Sequence, residues 1–475
     1  MKYDTVIGLE VHLHLNTKTK AFCACSTEFG SIANFQTCPV CLGMPGSLPV
    51  YNKVALDYAI KVALALNCTV QEYTKFDRKN YFYPDLPKNY QVSQYDLPLS
   101  LSGFLEIELG AKPKRIGITR VHMEEDAGKL IHKEDNSLVD FNRTGIPLLE
   151  IVSEPDMNSP EEAHSYLTEL KSVLEYLDVS DCDMEKGSLR CDANISLKKP
   201  EDKKLGVKVE LKNMNSFKAV KDALNYEVER QAQLLDEGKT IGQETRLWDT
   251  EKSITVSMRT KEGAQDYRYF PEPDLPPFII SKTTVEEIKS KLPESGRDKL
   301  QRFVREYGLT NYDAKILVSN KKDAEYAEKC IKAYPESDKK MVVNWLVGAM
   351  LSEANARNSS IAALNIPENN LISLLVSIQK QEISNLSAKS VLSEMVSSGK
   401  APLQIIKEKN FAQISDAGEL DKIVDEVIKD NQKSVADLKA GKENALMFLV
   451  GQAMKKSKGK GNPKLLQEIF KRRLS

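Results

Sequence analysis

The sequence has almost no net charge, since 67 Lys and Arg stand against 68 Asp and Glu for a formal −1. No global basic field advertises nucleic acid, and any such contact has to come from a local patch. An apolar run of membrane-spanning length is missing, as is a signal-peptide core after MKYDTVIGLE. The expectation is a cytoplasmic protein with no membrane partner. There is no GxxxxGK[ST] phosphate loop, because Gly238-Lys239-Thr240 has Gln233 where the upstream glycine would stand. A GxSxG nucleophile elbow and a Gly/Ser-rich amidase-like segment are also lacking. If the chemistry consumes ammonia, another chain must release it.

What is present is a soluble globular composition, 41% hydrophobic and 28% charged over 475 residues, enough for two to four domains with substantial cores. Eight cysteines occur, and in a large cytosolic chain their clustering argues for metal or reduced thiols over disulfides. Cys23-Ala-Cys25, twelve residues, then Cys38-Pro-Val-Cys41 has the ligand count of a structural zinc site. The first pair is closer than the usual two-residue gap, so buried free thiols are the alternative.

Alternation predicts strands over Thr5 to Leu15, Lys114 to Met123, Leu189 to Leu197 and Val207 to Leu211. A period of two places Glu10, His12 and His14 on one face of the first strand. It likewise groups Arg190, Asp192, Asn194 and Ser196, and Lys208, Glu210 and Lys212. If these strands share a sheet, the face offers carboxylates for a hard cation and Arg or Lys for phosphate oxygens, the inventory of phosphoryl transfer. A solvated antiparallel face with paired charges is the alternative.

Two acidic stretches add to this inventory: HMEEDAG at 122 to 128, and Glu150 inside the apolar run IPLLEIV. A lone Glu there needs a basic partner or a metal. Helices are signalled by Ser159, Pro160 and Glu162 as a capping box, and by Ser216 as cap with Gly238 as stop. After residues 273 to 277 the text turns helical, broken at Pro293, Pro335, Pro367 and Pro402. The expected class is α+β: residues 1–292 carry a largely antiparallel sheet, 293–405 form an all-α helical domain, and 406–475 a small all-α tail domain.

Segments 75 to 95 and 266 to 277 interleave aromatic and basic residues, which suits a nucleotide or a nucleic-acid end, or a loop packing its own rings. Lys79, Tyr81 and Lys88 are substrate-binding candidates on that composition, as are Lys208, Glu210 and Lys212 on the polar strand. The tail from Lys455 to Ser475 holds six Lys and two Arg against Glu468 alone. Lys455, Lys456, Lys458, Lys460 and Lys464 are candidate contacts to nucleic-acid phosphates. A frayed, solvated terminus is the alternative.

VIGLEVHLHLNTKTKAFCACS, CPVCLGMPGSLPV, KFDRKNYFYPDLPKNYQ, DFNRTGIPLLEIVSEPD, GSLRCDANIS and DYRYFPEPDLPP resemble the hallmark segments of the GatB family, and NWLVGAM and GKGNPKLLQEIFKRRL resemble its helical and tail regions. The resemblance implies a cradle-like amidotransferase domain, a helical domain and a YqeY-like tail that contacts tRNA. It implies an ATP- and Mg²⁺-dependent ligase that activates the side chain of misacylated Glu-tRNA(Gln) or Asp-tRNA(Asn). It also implies a heterotrimer with a GatA-type glutaminase and a small GatC-type subunit. Carried over residue by residue, the Mg²⁺ ligands fall on His12, Glu125 and Glu150, with Glu10, Asp192, Arg190 and Asn194 as catalytic-pocket residues. Two rivals stay open: a noncatalytic zinc-bearing tRNA scaffold, and a phosphotransferase acting on a small carboxylic acid.

Overall fold

The computed structural model describes residues 2–109, 112–260, 267–409, 411, 417–439, 443–457 and 461–474. Lys458 and Lys460 therefore lie outside the described residues. The chain divides into two compact units, Met1–Ser295 and Gly296–Ser475.

The first unit is organised by a nine-stranded sheet. Its strands are β1 (Asp4–His14), β2 (Thr69–Val70), β3 (Ser100–Glu108), β4 (Pro113–Glu125), β5 (Pro147–Ser153), β6 (Leu189–Lys198), β7 (Val209–Lys212), β8 (Glu244–Asp249) and β9 (Ile254–Thr260). They lie in the order β9-β8-β7-β6-β1-β5-β4-β3-β2. Every pairing is antiparallel except β7 with β8. That parallel pair needs a long crossover, which helix Phe217–Asp236 supplies.

Alternation decides which face is covered. Ile7, Leu9, Val11 and Leu13 of β1 are at most 1% exposed. They join one core with Ala59, Ile60, Leu167, Leu170, Val220 and Leu224 from the helices Lys53–Ala65, Pro160–Tyr176 and Phe217–Asp236. Each of the Ile, Leu and Val side chains among them contributes roughly 1.5–3 kcal/mol by leaving water, which pins the register of the sheet. Ser159 caps the second of these helices by accepting from the Glu162 amide at 3.2 Å. The Glu162 carboxylate reaches back to the Asn158 amide at 2.7 Å, one residue beyond a standard capping box. Ser216 caps the third helix through the Ala219 amide at 3.0 Å.

The second unit is helical from Gly296–Tyr307 to Pro463–Leu474, so the architecture is α+β. Its last four helices, from Ala417–Asp430 onward, gather a core of their own around Leu420, Val424, Leu449, Leu466 and Phe470. Among the described residues no helix is long and apolar enough to cross a membrane.

Candidate active site

The face of the sheet opposite the helices carries ionisable side chains, and strand register aligns them. Glu150 of β5 stands between His122 of β4 and His12 of β1, while His12 pairs on its other side with Arg190 of β6. Glu10 lies opposite Asp192, and Asn194 opposite Glu210. Three strands whose polar faces were predicted separately are thus neighbours.

At the centre, His12 Nε2 lies 3.7 Å from Glu124 Oε1 and 3.6 Å from Glu150 Oε2. The ligand-capable atoms of His12, Glu124 and Glu150 all fall within 4.8 Å of one another. Both carboxylates are largely withdrawn from water, at 3% and 14% side-chain exposure. Two like charges that close repel by about 3 kcal/mol or more at an effective dielectric of about 20. Burial works against the charged form of Glu150, yet His122, His12 and Lys79 hold its carboxyl well below the usual range. A divalent cation answers this deficit, and one imidazole with two carboxylates leaves coordination positions for water and phosphate oxygens. The residues fit Mg²⁺.

Glu125 is not part of this group. On a strand, neighbours in sequence point to opposite faces, so Glu124 joins His12 and Glu150 while Glu125 turns away. Its Oε1 accepts from Lys88 Nζ at 2.5 Å and from the Val92 amide at 2.9 Å. Lys88 and Glu125 line a separate cavity of about 230 Å³ with Lys20, Cys23 and Cys41. The resemblance points to Glu125, whereas the carboxylate that the structure groups with His12 and Glu150 is that of Glu124.

The remaining candidates flank the centre. Asn194 Nδ2 donates to Glu10 Oε1 at 2.9 Å. Lys212 pairs with Asp192 and, at 3.2 Å, with Glu210. Burial weakens its charge, but Asp192 and Glu210 raise the ammonium to about 12. Lys208 is exposed just ahead of β7, and none of its contacts brings it to the site among the described residues. Asp126 follows β4 and is 4% exposed. It is gripped by His14 at 2.6 Å, Arg190 at 3.0 Å and Arg143 at 3.2 Å. Burial opposes its ionisation, but Arg190, His14 and Arg143 hold the carboxyl well below the usual range.

Both aromatic segments converge on this face. Phe270 and Pro271 pair with Arg78 and Asp77, which brings Tyr267 to 5.8 Å from Tyr81 and stacks Tyr269 on Tyr95 at 4.2 Å. Lys79 Nζ sits 5.0 Å from the Tyr267 ring centroid and 5.8 Å from that of Tyr81. Burial, then Glu124, pushes the Tyr81 hydroxyl up, as burial, Glu124 and Glu150 do for Tyr269.

The four cysteines meet as well. Sγ atoms of Cys23, Cys25, Cys38 and Cys41 lie within 4.8 Å of one another, and all are free thiols. A tight turn brings the second pair together, with the Cys38 amide 3.2 Å from Cys41 Sγ. Gly43 then follows with φ +65, where a Cβ would collide with the Lys88 side chain. Burial pushes the Cys25 thiol up to about 11, whereas hydrogen bonding from Cys23 draws Cys41 down to about 5.

In the tail, Lys456 pairs with Glu426 and Asp430, both at 2.8 Å, while Arg472 pairs with Asp421 at 2.9 Å. Lys455 and Lys464 are exposed. Sequence reasoning did not single out His122, Asp126, Arg143 or Tyr267. The first was within reach of the period-two count, and the others depend on loop placement.

Residues 5–286 match the family described as GatB/GatE catalytic domain, and residues 325–474 match the family described as GatB domain. Relatives of full length are similar throughout. The B-type subunit of the aspartyl/glutamyl-tRNA(Asn/Gln) amidotransferase from Carboxydothermus hydrogenoformans is 54% identical, over 100% of this chain and 99% of its own. That of Caldanaerobacter subterraneus subsp. tengcongensis is 55% identical over 100% of both, and that of Persephonella marina 50% over 99% of both.

Proposed function

The chain belongs to the GatB family, and we propose that it is the subunit of a tRNA-dependent amidotransferase, a glutamine-using carbon–nitrogen ligase, that activates the side-chain carboxylate of misacylated Glu-tRNA(Gln) or Asp-tRNA(Asn). The observation that carries this reading is the cation-poor group of His12, Glu124 and Glu150 on a polar sheet face. These three residues would hold Mg²⁺, which when bound supplies charge neutralisation between ATP phosphates and an anionic side chain.

Arg190 and Lys212 add fixed positive charge on the same face, and the wall of Tyr81, Tyr267 and Tyr269 offers rings for a nucleotide or the aminoacyl end. The substrate carboxylate attacks the γ-phosphorus and ADP leaves. Ammonia then attacks the carbonyl carbon of the acyl phosphate, and phosphate departs with the surplus proton, leaving the amide. No protein nucleophile is needed. A GatA-type glutaminase with a GatC-type subunit supplies the ammonia, since the chain has no amidase motif. The Cys23, Cys25, Cys38 and Cys41 group holds a structural zinc. Helical residues 293–405 and tail 406–475 serve as separate domains, the latter toward tRNA phosphates.

The test is amide formation on both misacylated tRNAs by the chain co-purified with its glutaminase partners, given ATP and Mg²⁺. Glu124→Gln should lower the rate by about 10²-fold or more while tRNA binding persists. Wild-type complex that amidates neither substrate would overturn the reading in favour of a noncatalytic scaffold. Metal analysis of the same preparation should find one zinc per chain, lost in Cys38→Ser.

A further inference from the structure

His122 opens the stretch HMEEDAG, but the sequence alone gave its side chain no role. It is 2% exposed, sits directly opposite Glu150 in the β4–β5 register, and shares its face of β4 with Glu124. Its Nε2 lies 3.0 Å from Glu150 Oε2 and 3.9 Å from Glu124 Oε2. Its Nδ1 is buried without a hydrogen-bond partner. The ring's closest polar contact is therefore with Glu150, through the same oxygen that faces His12.

We propose that His122 is a positioning residue: its Nε2–H donates to Glu150 Oε2 and fixes that carboxylate toward the position shared by His12 and Glu124. The inference rests on the cation site put forward above. A buried carboxylate on a strand can rotate about three side-chain bonds, and a ligand free to turn away loses part of its affinity to that disorder. A donor behind the ligating oxygen removes this freedom and leaves the oxygen's other lone pair for the ion. Glu124 has its own restraint, Ser93 Oγ at 3.2 Å from Oε2. Each acidic ligand is thus held by one neighbouring donor, while His12 faces both.

The experiment is a double-mutant cycle on the full chain co-purified with its partner subunits, using Mn²⁺ alone as probe and reading free Mn²⁺ by electron paramagnetic resonance. His122→Leu should weaken binding by about 10- to 100-fold. His122→Gln, which keeps an N–H donor at similar reach, should stay within a few-fold of wild type. In a Glu150→Gln background, His122→Leu should cost almost nothing further, because the residue acts through Glu150. Equal losses in both backgrounds would overturn the proposal, as would a His122→Gln loss as large as that of His122→Leu in protein with an unchanged melting temperature. Glu150→Gln that binds Mn²⁺ like wild type would instead remove the cation site itself, and this role with it.

Discussion

Two buried acidic groups, one in each unit, are built on opposite terms. In the helical unit Glu328 is surrounded by donors: Arg302 at 2.8 and 3.0 Å, Lys332 at 2.7 Å, Tyr307 at 3.1 Å and Lys299 at 3.4 Å. In the sheet unit Glu124 and Glu150 face imidazoles at 3.0 to 3.9 Å, with no Lys or Arg in ion-pair contact among the described residues. A carboxylate with more donors than it needs locks helices together. Two carboxylates with fewer than they need hold a place for something else. Burial alone does not separate the two cases, but the local balance of charge does.

The largest effect expected from this contrast is an exchange of phenotypes. Glu328→Gln removes the shared anion from Arg302, Lys332 and Lys299, and should lower unfolding free energy by about 3 kcal/mol while leaving per-molecule amidation intact. Glu124→Gln relieves a repulsion, so urea unfolding should show equal or greater stability alongside the loss of activity. Were Glu124→Gln the destabilised variant and Glu328→Gln the inactive one, charge balance would not be what distinguishes the groups.

Asp126 sharpens the contrast, because it lies in the sheet unit yet is saturated like Glu328. Its carboxyl is held below the ordinary range chiefly by Arg190, against the cost of burial. A depressed native-state value means stability that is present above the unfolded carboxylate value of about 4 and lost as pH falls through the native one. Wild type should therefore lose stability on acidification below about pH 5, and Asp126→Asn should lose on the order of 2 kcal/mol less over that range. Urea midpoints measured against pH decide it; identical acid slopes would mean that Arg190, His14 and Arg143 do not stabilise the anion.

The sheet face was legible in the sequence because β1 and β6 keep a period of two, so Glu10, His12, Asp192 and Asn194 could be grouped before any pairing was known. The two capped helices were legible through Ser159 and Ser216, whose signals are local. The structure groups Glu124 rather than Glu125 with His12 and Glu150, a difference that the adjacent pair EE hides until strand phase is counted. The Asp126 hub was not legible. His14, Arg143 and Arg190 reach Asp126 from three distant parts of the chain, and no periodicity links them. The same holds for Tyr267 beside Tyr81, which depends on the pairing of Phe270 with Arg78.

Saturation also discriminates among the tail's cations, where the smallest effect is expected. The composition of residues 455 to 475 suggests a uniformly basic surface, but Lys456 is committed to Glu426 and Asp430, and Arg472 and Arg473 to Asp421 and Asp425. Among the described residues the Lys464 side chain is exposed and makes no ion pair. A cation already neutralised within the protein releases few counterions when it meets a phosphate, because its field was cancelled beforehand. An uncommitted one releases nearly its full share. Lys464→Ala should therefore flatten the dependence of log tRNA affinity on log salt by about 0.9, the value for one phosphate contact, and Lys456→Ala by clearly less. Filter binding across a salt series reads both slopes. Equal changes would show that the acidic partners on helix Ala417–Asp430 let go when tRNA arrives; no change in either would place the phosphate contacts elsewhere in the chain.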